Sequence, residues 1–331
     1  MESTRNKLIQ LLSKEEDTFI SGQVISDKLN LSRNAIWKHM KELEKDGYKI
    51  EAIRNKGYRI IEIPKKVSQN TVQWGLKTKW LGKTLIHRES TTSTQHIAHQ
   101  LASENAPHGT VVMADEQTAG KGRLSRSWHS AKDKGIWLSI VLRPTIGPNL
   151  APQLTLLTAT VLADVMQNKL HVTPKIKWPN DIILSNKKVA GILTEMQAEQ
   201  DQIQYIVIGI GINVNQEQEE LPDDIQARAT SLKIETNKDW DLHVLIQDIL
   251  LTFEETYSNY LENGFQTAIK QKWESYGYRI GETTKIKTIK DEQEIKIMGI
   301  ADDGALLASY QDGTIKKVYS GEIDWFSNGS K

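Results

Sequence analysis

The sequence of 331 residues contains no cysteine, which excludes several kinds of chemistry. Without thiols there are no disulfides, thiolate nucleophiles, iron–sulfur clusters or cysteine-ligated zinc sites, and the composition fits a reducing compartment. No apolar run approaches the ~18 residues that a membrane span needs, and the chain starts with polar residues. We therefore expect a cytoplasmic protein with no membrane partner.

Charge of one sign is also lacking, because 42 Lys and Arg balance 42 Asp and Glu. This balance excludes a uniformly basic surface. The eight histidines are scattered, and His96 and His99 have no obvious third ligand nearby. We expect this pair on a helix surface, and we predict no metal site built from protein ligands.

The length suggests more than one domain, since a domain typically has roughly 150 residues. With 38% hydrophobic and 25% charged residues, the composition is that of a globular protein. Changes in pattern predict an α+β multidomain chain with boundaries at 1–66, 67–275 and 276–331.

The first predicted domain has an excess of positive charge, with 14 Lys and Arg against 10 Asp and Glu in residues 1–66. Ser32 is a candidate N-cap for a third helix, which would bury Ile36, Met40 and Leu43 and present a basic face. Two alternating strands follow, joined by a cationic turn at 54–57. These elements predict a winged helix-turn-helix.

Such a domain inserts its third helix into the major groove of DNA and grips the backbone with the wing. The alternatives are a solvated charged helix and a winged helix that binds only protein. Trp37 either stacks on the DNA backbone or packs against the wing. The candidate DNA-binding residues are Arg33, Asn34, Trp37, Lys38, Lys41, Arg54 and Lys56.

Beyond residue 66 the pattern is that of a mixed α/β core followed by short β-strands. Buried strands are predicted at 109–117, 135–144, 188–197 and 205–214, and amphipathic helices near 93–104, 151–170 and 241–263. From Gly281, alternating strands separated by Asp-Gly turns predict a small β-barrel.

The segment EQTAGKGRLSRSWHS at 116–130 concentrates glycines and cations. Glycines let backbone N–H groups approach an anion, and the cations supply charge for a phosphate or acyl phosphate. The alternative is a mobile surface loop, but cations this dense repel one another without an anionic guest. The segment is neither a P-loop nor a Rossmann fingerprint.

Three further motifs are weaker when taken singly. Lys177 in KIKWPND ends a strand and would face a pocket, although a surface lysine beside a buried tryptophan is the alternative. GIGIN at 209–213 fits either a ligand along a strand or close strand–helix packing. Ser93-Thr94 offers an anion site at a helix start, or ordinary N-capping.

Together these motifs resemble the biotin protein ligases, specifically the bifunctional kind that is also the biotin operon repressor. TST at 92–94, EQTAGKGR at 116–123, KWPND at 177–181, KVAGILTE at 188–195 and GIGINVN at 209–215 occur in the family's order. The resemblance spans essentially the whole chain. It implies a central core similar to class II aminoacyl-tRNA synthetases and a C-terminal SH3-like barrel.

The resemblance implies a two-step reaction in which biotin and ATP give biotinyl-5′-AMP and pyrophosphate, and a lysine of an acceptor protein then takes the biotin. Lys177, Arg123 and Arg126 would be catalytic. The implied biotin-binding residues are Ser93, Thr94, Gln117, Gly120, Lys121, Gly122, Arg123, Trp128, Lys177 and Gly191. The implied ATP and adenylate-binding residues are Arg123, Arg126, Lys188, Gly209, Gly211 and Asn213. Mg²⁺ is expected with ATP.

The resemblance also implies partners and a switch. The acceptors would be biotin carboxyl carrier domains of carboxylases, and the adenylate-bound chain would form a homodimer that binds an inverted-repeat operator. Two positions depart from the family loop GRGRxGR, where this chain has Lys121 and Ser125. Two other classes compete: a biotin-sensing transcription factor without catalysis, and a lipoate-type ligase that shares the core.

Overall fold

The computed structural model describes residues 4–13, 18–287, 292–319, 322, 323 and 325. The chain divides into two compact units, one comprising 1–78 with 241–247 and the other 79–240 with 248–331. The predicted domain boundaries after residues 66 and 275 stay predictions. Residues 1–3, 14–17, 288–291, 320, 321, 324 and 326–331 of the predicted outer domains lie outside the described residues.

The first unit begins with three short helices, the second and third of which start at serine side-chain caps. They are α1 (Thr4–Ser13), α2 (Gly22–Leu29) and α3 (Arg33–Lys45). Ser32 accepts a hydrogen bond from the N–H of Ala35 and so fixes the start of α3. Ile36, Met40 and Leu43 repeat at helical spacing and are all buried. The basic face predicted for α3 is therefore exposed to solvent.

A two-stranded wing follows, formed by β1 (Lys49–Ile53) and β2 (Gly57–Glu62), and then α4 (Gln69–Gln73). Ile20 pairs with Tyr58 through two backbone hydrogen bonds of 2.9 Å, which fastens the wing to the segment before α2. Gly57 makes this possible, because a Cβ there would lie 2.0 Å from the carbonyl oxygen of Ile20. The predicted winged helix-turn-helix is confirmed.

The second unit is built on a seven-stranded mixed sheet. Its strands are β3 (Leu85–Thr91), β4 (Thr110–Gln117), β5 (Gly135–Leu142), β6 (Lys175–Lys177), β7 (Asp181–Leu184), β8 (Lys187–Glu199) and β9 (Gln202–Asn213). The order is β3-β4-β5-β9-β8-β7-β6, with β3 and β4 parallel and the other pairs antiparallel. Every residue of β5 is buried, as its continuous apolar run predicts.

Helices follow the strands along the chain. They are α5 (Thr94–Ser103), α6 (Ala151–Leu170), α7 (Leu232–Thr236), α8 (Leu242–Phe265) and α9 (Gln271–Tyr276), with a π-helical segment at Gln266–Lys270 between the last two. The positions of α5, α6 and α8 lie close to the predicted ones, whereas α7 and α9 were not predicted. Most of α6 is buried. Within the described residues, no helix is both long and apolar enough to span a membrane.

The C-terminal part of the second unit is an all-antiparallel sheet. Its strands are β10 (Thr283–Lys287), β11 (Glu292–Ile300), β12 (Leu306–Tyr310), β13 (Ile315–Val318) and β14 (Glu322–Ile323), in the order β13-β12-β11-β10-β14. Turns fall at Gly304 and Gly313, which have φ of 87° and 82°. The indole N–H of Trp178 donates to the carbonyl of Gly304 at 3.1 Å, which ties this sheet to the mixed sheet. The predicted fold class is confirmed.

Candidate active site and nucleic-acid interface

One cavity of about 1540 Å³ in the second unit collects the predicted pocket residues. A pocket for one drug-sized ligand has about 300–1,000 Å³, so this cavity has room for more than one substrate. Gly120 is buried just behind the wall, where a Cβ would lie 2.5 Å from the carbonyl oxygen of Trp128. The predicted residues that line it are Ser93, Thr94, Gln117, Lys121, Gly122, Arg123, Arg126, Trp128, Lys177, Lys188, Gly191, Gly209, Gly211 and Asn213.

A buried carboxylate holds two of the predicted cations at the end of β6 and β7. Asp181 lies opposite Lys177 across this antiparallel pair, and its two oxygens lie 2.8 Å from Lys177 Nζ and 2.7 Å from Lys188 Nζ. Burial alone would raise the pKa of Asp181, but the charges and hydrogen bonds of Lys188 and Lys177 outweigh burial and lower it. Asp181 therefore stays ionised beside both lysines.

Arg123 reaches the same corner of the cavity from the glycine-rich loop. Its guanidinium donates to Asn180 Oδ1 at 3.2 Å, and Asn180 in turn donates to the carbonyl of Ile192 on β8 at 2.8 Å. Burial lowers the pKa of Arg123; Asp181 acts against this shift, and the positive charge of Arg126 adds to it. The contribution from Arg126 shows that two like charges lie close enough to repel, and an anion bound between them would reduce that repulsion.

The glycine-rich loop itself is a small hairpin, which we call the arginine hairpin (residues 120–128). Trp128 donates to Gly120 at 2.8 Å and Gly122 donates to Arg126 at 2.7 Å. Its tip, Leu124 and Ser125, has φ of 54° and 59°, which is a two-residue turn of the kind that favours Asn and Gly. Leu124 is 80% exposed, so burial of its side chain does not offset the strained backbone.

Two glycines of the predicted pocket make room for the ring of Trp128. Gly191 and Gly211 face each other on β8 and β9, and a Cβ at these positions would lie 3.0 Å and 2.5 Å from the indole. Lys188 Nζ lies 5.0 Å from the centroid of the same ring. The two glycines thus leave room for the Trp128 ring against β8 and β9.

A chain of polar side chains underlies the opposite wall. Thr94 donates to Gln117 Oε1 through its N–H and hydroxyl at 2.9 and 3.1 Å, and the Thr94 and Ser139 hydroxyls lie 2.9 Å apart. Ser139 donates to Gln95 at 3.1 Å, and the bare Cα of Gly209 leaves space for that amide. These bonds fix the orientation of Thr94 and Gln117.

Within the described part of the chain, two buried polar atoms at the cavity lack a hydrogen-bond partner. They are Ser93 Oγ and Trp128 Nε1, and Ser93 makes no side-chain cap to α5, which removes N-capping as its explanation. Buried polar groups in native proteins are nearly always paired. Both atoms belong to residues that line the cavity.

Asn213 has a different environment from the one its motif suggests. Its side-chain amide donates to the carbonyl of Thr230 at 3.0 Å, and Gln216 donates to its oxygen at 3.3 Å. These bonds anchor the chain that follows β9. A contact from Asn213 to a nucleotide stays a prediction.

Sequence reasoning missed two residues of this site. Asp181 stands in the KWPND motif beside the predicted Lys177, whereas Ser139 carries no motif signal. Gln95 follows the predicted Ser93-Thr94 at the start of α5. The C-terminal sheet also contributes to the wall through Lys285, Lys287, Glu292, Ile323 and Trp325. A contribution from so far along the chain is not readable from local patterns.

The donor set gives Mg²⁺ little to bind. The described residues contain no cluster of three or more His, Cys, Asp or Glu able to hold a metal ion. In the cavity, the Asp181 carboxylate already contacts two ammonium groups. A Mg²⁺ ion arriving with ATP would depend on the phosphates for most of its ligands.

The predicted nucleic-acid interface lies in the first unit. All seven candidate residues, Arg33, Asn34, Trp37, Lys38, Lys41, Arg54 and Lys56, are exposed. Arg33 donates to Gln23 of α2 at 3.2 Å, and Lys41 pairs with Glu44 at 2.6 Å. Trp37 is 57% exposed, which favours the contact with DNA over packing against the wing.

Comparisons with known proteins match the same three regions. Residues 87–213 match the Biotin/lipoate A/B protein ligase family, residues 4–59 an HTH domain, and residues 280–325 the Biotin protein ligase C terminal domain. Biotin protein ligase from Aquifex aeolicus in complex with biotin and ATP is 34% identical, with a TM-score of 0.63 over 73% of this chain and 98% of that one. The chain belongs to the biotin protein ligase family.

Within that family its relatives include full-length bifunctional proteins. The chain is 49% identical to the Bifunctional ligase/repressor BirA of Bacillus spizizenii, covering 98% of this chain and 99% of that protein. It is 29% identical to the protein of the same name from Escherichia coli, covering 96% and 95%. It therefore belongs with the bifunctional ligase/repressors.

Proposed function

We propose that this protein attaches biotin to a lysine of biotin carboxyl carrier domains by way of biotinyl-5′-AMP, and represses transcription when it carries that adenylate. The observation that carries the proposal is the convergence of Lys177, Lys188, Arg123 and Arg126 on one cavity with the orphaned Ser93 Oγ and Trp128 Nε1. The two substrates are biotin and ATP.

In the first step the biotin carboxylate attacks the α-phosphate of ATP. A carboxylate oxygen–phosphorus bond forms, the bond from the α-phosphate to the bridging oxygen breaks, and pyrophosphate leaves with the electron pair. Both reactants are anionic, so their repulsion is a large part of the barrier, and fixed cations lower it. We assign Lys177 to the carboxylate and α-phosphate, and Arg123 and Arg126 to the adenylate phosphate.

The neutral parts of the ligands would be bound by the remaining predicted residues. Thr94 and Gln117 offer oriented amide and hydroxyl groups to the biotin head, and Ser93 Oγ is free to join them. We assign Trp128 to the cover over biotin. Lys188, with the backbone at Gly209 and Gly211, would face the nucleotide.

In the second step the neutral amine of the acceptor lysine attacks the acyl carbon. A carbon–nitrogen bond forms, the carbon–oxygen bond to the phosphate breaks, AMP leaves, and the amine loses a proton to solvent or to the leaving group. Arg123 and Arg126 stabilise the developing charge on AMP. Any Mg²⁺ would enter with the ATP phosphates and screen their charge.

Repression would use the exposed α3 face and the wing. Biotinyl-5′-AMP is both intermediate and corepressor in this proposal, and its accumulation favours a homodimer that binds an inverted-repeat operator. Dimerisation, the operator and a cytoplasmic location stay predictions.

Biotin-dependent ATP–pyrophosphate exchange by the purified protein and its Lys177→Ala variant tests the ligase half. We expect exchange in the wild type and a loss on the order of 10²–10³-fold in the variant. Lys175→Ala is the matched control, because Lys175 lies on the same strand and is exposed. A folded wild type without exchange would favour the non-catalytic sensor, and exchange with lipoate in place of biotin would favour the lipoate-type ligase.

A further inference from the structure

Asp181 joins three parts of the cavity that are separate in sequence. It is only 8% exposed, although a carboxylate has a high cost of burial without partners. Its oxygens contact Lys177 of β6 and Lys188 of β8 at 2.8 and 2.7 Å. Its electrostatic field also acts on Arg123 of the arginine hairpin.

The backbone around Asp181 is arranged for this double contact. Gly191 lies opposite Asp181 on β8, and a Cβ on Gly191 would lie 3.2 Å from Lys188 Nζ. The missing side chain leaves the space through which Lys188 reaches the carboxylate. Lys177 lies opposite on the other side, in β6, where directly opposed side chains are neighbours.

We propose that Asp181 is the positioning residue for adenylation: it holds the ammonium groups of Lys177 and Lys188 at a fixed spacing, so that Lys177 is aimed at the biotin carboxylate and α-phosphate. The inference rests on the proposed function. Asp181 itself touches no reacting atom in this arrangement. It acts through Lys177.

Charge explains why such a residue is needed. Lys177, Lys188, Arg123 and Arg126 line one cavity, where their like charges repel one another. One carboxylate between two of the four cations reduces this repulsion while leaving a net positive cavity for an anionic ligand. An amide at 181 would remove this attraction from both ammonium groups.

A different role for a carboxylate here would be the base that deprotonates the acceptor lysine. The contacts oppose it, because both oxygens of Asp181 already accept from ammonium groups. Its lowered pKa also makes it a weak base. The two roles predict losses in different half-reactions, so they can be separated.

The experiment measures both half-reactions in Asp181→Asn and Asp181→Glu. The first is biotin-dependent ATP–pyrophosphate exchange, with kcat and KM for biotin and ATP; the second is transfer from synthetic biotinyl-5′-AMP to a purified carrier domain. Asp164→Asn is the matched control, since Asp164 is also buried and contacts Lys272 and Tyr276 away from the cavity. Thermal melting of every variant monitors folding.

We expect Asp181→Asn to lower kcat of exchange about 100-fold, because a misplacement near 1 Å has that effect, with smaller changes in KM. Transfer from the preformed adenylate should fall less. Asp181→Glu keeps the charge but moves it by one methylene, so its loss should be intermediate, on the order of tenfold. Asp164→Asn should lower the melting temperature and leave kcat unchanged.

Three results would overturn the inference. The first is ATP–pyrophosphate exchange at the wild-type rate in either folded Asp181 variant, and the second is loss of biotin transfer while exchange is intact. The third is a loss of exchange in Asp164→Asn equal to that in Asp181→Asn. If Asp181→Asn does not fold, Asp181→Glu gives the answer alone. A wild type without exchange would instead reject the proposed function, so the two failures are distinguishable.

Discussion

The wing and the arginine hairpin are both short, cationic β-turns, but they are built differently. The wing hairpin (residues 53–57) has Asn55 and Gly57 at positive φ, the residue types that tolerate this region. The arginine hairpin has Leu124 and Ser125 there. A residue such as Leu or Ser in the left-handed region costs roughly 1–2 kcal/mol of conformational free energy.

The difference fits the two proposed roles. A DNA-backbone contact benefits from a turn that is already in place, whereas a cover over an intermediate must open and close. Strained backbone is often found at ligand clamps and switch segments. We therefore expect substitutions in the arginine hairpin and in the wing to have separate effects.

Removing an arginine from each hairpin should separate adenylation from DNA binding. Arg123→Ala should lower kcat/KM for ATP–pyrophosphate exchange on the order of 10²–10³-fold, because it removes a cation held at the phosphate position. Arg54→Ala should leave exchange unchanged. Equal exchange rates in the two variants would contradict the assignment of Arg123.

Adding a methyl group to the wing should break its attachment. Gly57→Ala places a Cβ 2.0 Å from the carbonyl oxygen of Ile20 at a φ of 119°, so we expect a loss of about 2–3 kcal/mol in the free energy of unfolding of the first unit. Gly313→Ala is the matched control, since Gly313 also has positive φ but has nothing within 4 Å. Urea denaturation of both variants measures the difference.

Removing a lysine from each hairpin should affect DNA binding only at the wing. Lys56→Ala should reduce the slope of log affinity against log salt by about one unit, as expected for one phosphate contact. Lys121→Ala should leave that slope unchanged. Fluorescence anisotropy with duplex DNA at several salt concentrations provides the measurement, and a slope unaffected by Lys56→Ala would remove the wing from the interface.

Relieving strain at the arginine hairpin should stabilise its closed form. Ser125→Gly should stabilise the hairpin conformation by about 1 kcal/mol, which corresponds to roughly fivefold slower dissociation of biotinyl-5′-AMP. Hydrogen exchange at the amides of Gly122 and Trp128, which donate within the hairpin, should slow in the ligand-free protein. Unchanged hydrogen exchange at these two amides in Ser125→Gly would argue that the tip of the arginine hairpin carries no strain.

Acid should destabilise the second unit through the half-buried imidazole of His108. Burial, followed by the positive charge of Arg143, lowers the pKa of His108 below its ordinary 6.5. The unfolded chain then binds a proton that the folded chain does not, so stability falls as pH drops below 6.5 toward the folded pKa. Melting of the wild type and His108→Gln from pH 7.5 to 5 should show a shallower decline in the variant.

Much of the fold was predictable because local patterns and tertiary structure agree. The uniform burial of β5 follows from its apolar run, and the ends of α3 follow from Ser32 and the residues before Gly47. The strand predicted to end at Lys177 corresponds to β6, whereas β7 was not predicted, since four residues carry no clear period.

The cavity was predictable where cations and glycines form dense motifs, as in the arginine hairpin. Asp181 was missed because its importance depends on Lys188, which sequence alone does not bring to it. Gly191 and Gly211 were expected as bare pocket wall, whereas the structure places the ring of Trp128 against them. Such contacts depend on strand register, which motif spacing does not reveal.

The most direct test of the central claim is to identify which phosphorus–oxygen bond breaks. Purified protein is incubated with biotin and ATP labelled at the α-phosphate or the γ-phosphate, and the protein-bound label is isolated. We predict about one equivalent of bound biotinyl-5′-AMP from the α-label and release of the γ-label as pyrophosphate, both dependent on biotin. Release of orthophosphate from the γ-label, or no bound α-label, would contradict the assignment of this cavity to adenylation.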